Sequence, residues 1–125
     1  MAVVSLWHLA SNAYLDLYPI IPGFLRHPVG VFERLWSDRV AMRAFGREVW
    51  AVDRLTMMML AVHSRLGPRS GGPRLEEFRA FFFQQFSVVI TPEEKARLPE
   101  LTRAVGGAGV MRPFFDQLGI PCPPT

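Results

Sequence analysis

A chain of 125 residues is long enough for one domain that withdraws roughly two-thirds of its unfolded surface from water, and too short for two. Half of its residues are hydrophobic and about a fifth charged, a globular balance that excludes disorder as the overall state. The net charge of +3 is carried by thirteen arginines and one lysine scattered from Arg26 to Arg112 with acids among them, so no basic stripe suited to a nucleic-acid backbone emerges.

Cys122 is the only cysteine, which rules out an intramolecular disulfide and a cysteine-based metal site within one chain. A reducing, cytoplasmic compartment is therefore expected. The uncharged opening MAVVSLWHLASNAYL has no basic segment of the signal-peptide kind, and it falls short of the about 20 apolar residues that a membrane span needs.

Two runs rich in β-branched, aromatic and leucine residues, Ala2 to Ala10 and Ala13 to Ile21, flank Ser11-Asn12 and predict an antiparallel hairpin. In its second arm Tyr14, Asp16 and Tyr18 alternate with Ala13, Leu15 and Leu17, so the polar-tipped set shares one face. A two-residue turn would set Trp7 across from Asp16, and a three-residue turn over Ser11 to Ala13 would set His8 there; both registers stay open.

Pro19, Pro22 and Gly23 end that strand, and Pro28 opens a short helix with Val31, Phe32, Leu35 and Trp36 on one side. Val40 to Phe45 and Val49 to Val52 predict a second hairpin around Gly46-Arg47-Glu48. Asp53 to Leu66 is the central helix: Leu55, Met58, Met59, Val62 and Leu66 share a face, while Met57, Leu60 and Ala61 make the other side apolar too, so it must be covered on more than one side. Asp53 can cap its start, and Gly67-Pro68 stop it.

Gly67 to Pro73, with three glycines and two prolines, reads as a flexible surface loop. Leu75 to Phe86 returns to helical spacing, and Thr91-Pro92-Glu93-Glu94 is a helix start whose helix Pro99 bends or divides. Gly106, Gly107 and Gly109 precede a last turn or two from Val110 to Leu118. The expected class is α+β, a small antiparallel or mixed sheet from two hairpins packed against a bundle of about four helices. It forms a single domain over residues 1–120, followed by a loose proline-rich tail at 121–125.

Asp16 is the most suggestive acid, because a carboxylate in an apolar strand is costly to bury unless paired, hydrogen-bonded or metal-bound; solvent exposure is the plainer reading. Two-metal phosphoryl transfer needs two or three converging carboxylates, and no DxD pair joins it. His63 reads as a buried, hydrogen-bonded imidazole, and His8 and His27 lack zinc-ligand spacing. Ser5, Ser64 and Cys122 have no nucleophile-elbow context, and neither GxGxxG nor a phosphate loop occurs. Met57 to Met59 and Phe81 to Phe83 read as core, except that three adjacent phenylalanines cannot all face it; one marks a contact with a partner chain.

In order, Leu15-Asp16-Leu17-Tyr18 through Pro22-Gly23, Leu35-Trp36, Phe45-Gly46-Arg47-Glu48-Val49, Leu60-Ala61-Val62-His63 and Leu75-Glu76-Glu77-Phe78-Arg79-Ala80 run over about residues 13 to 105. This succession resembles the C-terminal half of a bacterial family of uncharacterised nucleotidyltransferases. The resemblance implies a mixed sheet flanked by helices, and catalysis by a Gly-Ser pair, a DxD pair and a third aspartate that hold two metal ions. Asp16 matches the third aspartate, whereas the other two elements would have to lie before Met1. Tyr18 stands where the family has a histidine, and no second histidine follows His63.

The expectation is a truncated or degenerate nucleotidyltransferase-like domain, inactive as an isolated chain, that serves as a binding or accessory module with Asp16 as a remnant metal ligand. No cofactor is expected, and magnesium only if the missing carboxylates are supplied elsewhere. The alternatives are a structural or interaction subunit of a larger assembly with a protein partner, and an active magnesium-dependent enzyme whose true start lies upstream. Whether a nucleotide binds stays open.

Overall fold

The computed structural model describes residues 4–17, 20–66 and 83–125, with side chains described for 6–13, 20–63 and 83–125. Strands β1 (Val4–His8) and β2 (Ala13–Leu17) pair antiparallel. Both are shorter than the apolar runs that contain them. Their connection is four residues long, Leu9 to Asn12, with Asn12 in the left-handed region at φ 54° that asparagine tolerates. Ser11 Oγ is hydrogen-bonded to His8 Nδ1 at 2.6 Å across it.

This loop settles the register against both expected alternatives. Each residue added to a hairpin loop slides the pairing by one, so Asp16 lies opposite Ser5, Trp7 opposite Tyr14 and His8 opposite Ala13.

Helix α1 (Pro28–Ser37) begins where His27 Nδ1 accepts the Val29 N–H at 3.2 Å and proline fills the first turn. Strands β3 (Val40–Ala44) and β4 (Arg47–Ala51) follow. Their turn is Phe45-Gly46 rather than the expected Gly46-Arg47-Glu48. Both turn residues have positive φ, 52° and 75°, the pattern of a type I′ turn, whose twist suits a two-residue hairpin. Among the described residues the hairpins form two separate two-stranded sheets.

Helix α2 (Arg54–Leu66) is capped as its sequence demands: the Asp53 carboxylate accepts the Thr56 N–H at 3.0 Å and the Asp53 carbonyl accepts the Met57 N–H at 2.9 Å. Helix α3 is described over residues 83–89. Helix α4 (Pro92–Val105) opens with a full capping box between Thr91 and Glu94 and continues through Pro99 without dividing. Helix α5 (Ala108–Leu118) starts two residues before the expected Val110.

The core lies between α2, α4 and α5, with α1 on α4: Leu55, Met59, Val62, Leu98, Leu101, Val105, Met111, Phe114 and Phe115 are sealed from water. Phe114 meets Phe83 and Phe86 at ring-centroid distances of 5.5 and 6.3 Å in tilted and edge-on geometry. The class is α+β. Residues 121–125 have no regular structure, yet Pro123 is buried and the Cys122 thiol reaches the Ala108 carbonyl at 3.5 Å, so this tail is packed there rather than loose. Burial pushes the Cys122 thiol up from its ordinary range, against an opposing pull from Arg112 and with a weaker push from Asp116.

The segment before α1 is moored to the far end of α4. The N–H groups of Leu25 and Arg26 donate to the carbonyls of Gly106 and Val105 at 3.1 and 3.3 Å, satisfying acceptors that a helix C-terminus leaves free. Gly106 itself is left-handed at φ 68°, and a Cβ there would stand 3.0 Å from the Arg26 backbone nitrogen, a tight approach.

Candidate functional site

The residues that the sequence singles out do not assemble into a shared site among the described side chains. Asp16 is the next-to-last residue of β2, opposite Ser5, its side chain outside the described set, and Tyr18 lies outside the described residues altogether. His63 donates from Nε2 to the Pro22 carbonyl and rests its ring 5.0 Å from that of Phe24. Its work is to fasten the segment before α1 onto α2, the hydrogen-bonded role expected of it. Among the described residues no group of three His, Cys, Asp or Glu side chains is close enough to hold a metal ion.

Of the two apolar triplets, Met58, Met59 and Phe83 are buried, Met57 is 51% exposed, and Phe81 and Phe82 lie outside the described residues. The exposure of Met57 corrects the expectation that α2 is enclosed on its second side.

That second side has another outlet. Leu60 of α2, Ile21 and Phe24 of the moored segment, and Val31, Leu35 and Trp36 of α1 line an apolar groove of about 290 Å³. The lining of α1 recurs at three and four residues, so one helix face supplies both a core contact, through Val31 and Leu35, and a groove wall, through Phe32 and Trp36. Phe32 is 61% exposed and stacks on Trp36 at 6.0 Å with an 18° interplanar angle. A second hollow of about 400 Å³, between α4 and Ile120, includes Lys95 and Pro99 and has no aromatic wall.

Arg39 stands at the Trp36 end of the groove. Its guanidinium carbon is 5.7 Å from the Trp36 ring centroid and 5.2 Å from that of Trp50, and it donates to the Trp36 carbonyl at 3.2 Å. Among the described residues no carboxylate lies within salt-bridge distance of it. Nothing in the sequence marks Arg39 out from the other arginines; only the hairpin, by bringing Trp50 back beside Trp36, gives it this setting.

Two other arginines near α1, Arg34 and Arg97, are spent on structure. Arg34 donates to Asp38 at 2.9 Å and to Glu100 at 2.6 Å, and Arg97 donates to Asp38 at 3.0 Å and Asp53 at 3.2 Å. This chain of ion pairs ties the end of α1 and the start of α2 to α4. Hydrogen bonding to Glu100 and then Asp38 raises the Arg34 pKa further above its ordinary value. Burial alone would raise Asp53, but hydrogen bonds from Thr56 and Arg97 outweigh it and hold the carboxyl below its usual range.

Fold and groove together define a small α+β domain with an open apolar cleft on one helix. The chain matches no protein-family model, no curated protein and no solved structure.

Proposed function

We propose that this chain is a non-catalytic binding module, cytoplasmic and degenerate in the nucleotidyltransferase-like sense that its succession of motifs suggests, and that it works by docking on a partner protein. The observation that supports this is the groove beside α1, an apolar cleft with the exposed rings of Phe32 and Trp50 near its edge. Clefts of this kind, rimmed by aromatic side chains and a cation–π arginine, suit the anchoring side chains of another protein. Phe32 and Trp50 would then be buried on assembly, a role that solvated helix and strand positions do not otherwise require.

The test is the composition of the assembly. Native mass measurement of the tagged protein from its source should give a stoichiometric heteromeric complex that Phe32→Asp abolishes while the isolated domain keeps its far-UV spectrum. A wild-type protein recovered with the mass of one chain would refute the docking reading. Titration calorimetry with Mg-ATP covers the enzymatic rival: saturable heat that Asp16→Ala removes would mean that a working nucleotide site survives.

A further inference from the structure

We propose that the segment entering the groove is amphipathic: one or two bulky apolar side chains fill the cavity, and a carboxylate on the same segment pairs with Arg39 at its end. This rests on the docking function above and adds the chemistry of the partner.

Size sets the first part. An apolar cavity of about 150 Å³ takes up benzene, so about 290 Å³ has room for one large or two medium apolar side chains. The lining itself opens to solvent at Ile20 and Phe32, 46% and 61% exposed, apolar surface that a docked peptide segment would cover.

Charge sets the second part. Arg34 and Arg97 already hold carboxylates, whereas Arg39 lies over two indole rings and, among the described residues, its one hydrogen-bond acceptor is a carbonyl. The guanidinium has N–H groups beyond the one given to the Trp36 carbonyl, so it can still donate to a carboxylate. Glu33 is the sole acid of α1; by helical geometry it lies off the arc of Val31, Phe32, Leu35 and Trp36, so the groove side of the helix is without a competing negative charge. A basic partner segment would meet Arg39 with like charge.

The probe is a displayed library of random 12-residue peptides, selected on the wild-type chain and counter-selected on Phe32→Asp. Both Phe32 and Arg39 are exposed, so their substitution leaves the core intact. Enriched peptides should combine large apolar residues with Asp or Glu, and Arg39→Gln should weaken them roughly threefold to tenfold, with a loss that shrinks as salt rises. Enriched peptides without an acid, or indifferent to Arg39→Gln, would overturn the amphipathic assignment and leave the docking function standing. A pool that binds the wild-type chain before counter-selection and is emptied by it would put docking elsewhere on the chain. A native mass of two copies that Arg39→Gln reduces to one would overturn the proposal in favour of a second copy as the occupant.

Discussion

Leu98, Leu101, Val105, Met111, Phe114 and Phe115 of α4 and α5 are sealed from water, whereas Val40, Met42, Val49 and Trp50 of the β3–β4 hairpin are each at least 39% exposed. Both regions are rich in large apolar side chains. The difference is one of partners: each helix turns a single stripe toward its neighbours, while the β3–β4 ribbon has two faces and, among the described residues, pairs with no third strand. Stability should therefore reside in the helices and binding capacity in the hairpin and the groove beside it.

The largest test of that contrast is Phe114→Ala. Phe114 is fully buried and packs on two further phenylalanines, so the cavity should cost about 3 to 5 kcal/mol, a large part of the stability of a domain this size. Urea unfolding followed by circular dichroism reads it as a fall in midpoint with little change in slope. A cost below about 1 kcal/mol would mean that the helical core is not where the domain is held.

Next comes the junction between the two regions. Gly23 has φ +88°, and a Cβ there would sit 2.2 Å from Val110 Cγ1. Gly23→Ala should therefore cost about 2 to 3 kcal/mol from backbone strain and overlap together. Adding Val110→Ala relieves the overlap and not the strain, so the double variant should recover part of the loss. Full recovery would show that the left-handed backbone costs nothing here.

Legibility in the sequence divides along the same line. Helices carry their boundaries locally: Asp53, Thr91 with Glu94, and Gly106 are cap signals, and each operates as such in the fold. Hairpin register is set instead by loop conformation, and neither the left-handed Asn12 nor the left-handed Phe45 is announced by its residue type strongly enough to place the turn. The groove was half legible. Apolar residues on both sides of α2 demand cover, but periodicity cannot say that Leu60 is left beside an open cleft. Arg39 was not legible at all, because its setting depends on two tryptophans fourteen positions apart that only the β3–β4 pairing brings together.

A smaller effect is expected at the ion pairs that brace α1 and α2 against α4. In the folded chain Asp53 titrates below its ordinary 3.8, so the unfolded chain binds the proton more readily. Its contribution is complete above that ordinary value and is lost as pH falls through the folded one. Asp53→Asn keeps a cap acceptor and loses the charge, so it should cost about 1 kcal/mol at neutral pH. The gap to wild type should close in acid. Urea midpoints measured from pH 7 down to pH 2.5 check this; a gap that stays constant throughout would mean that the carboxylate charge contributes nothing.

The smallest effect belongs to the tip of the exposed hairpin, and its sign is opposite. Phe45 is fully exposed and left-handed at φ 52°, a conformation unfavourable for a bulky residue and readily adopted by asparagine ahead of glycine. Phe45→Asn should therefore stabilise the isolated domain, by about 0.5 kcal/mol, because it removes backbone strain and no buried contact. Folding alone gives no reason to keep a phenylalanine there. If Phe45→Asn raises the urea midpoint and weakens capture of the library-selected peptides, the strained ring is part of the docking surface. If it raises the midpoint with peptide affinity unchanged, the surface ends at Trp50 and Arg39.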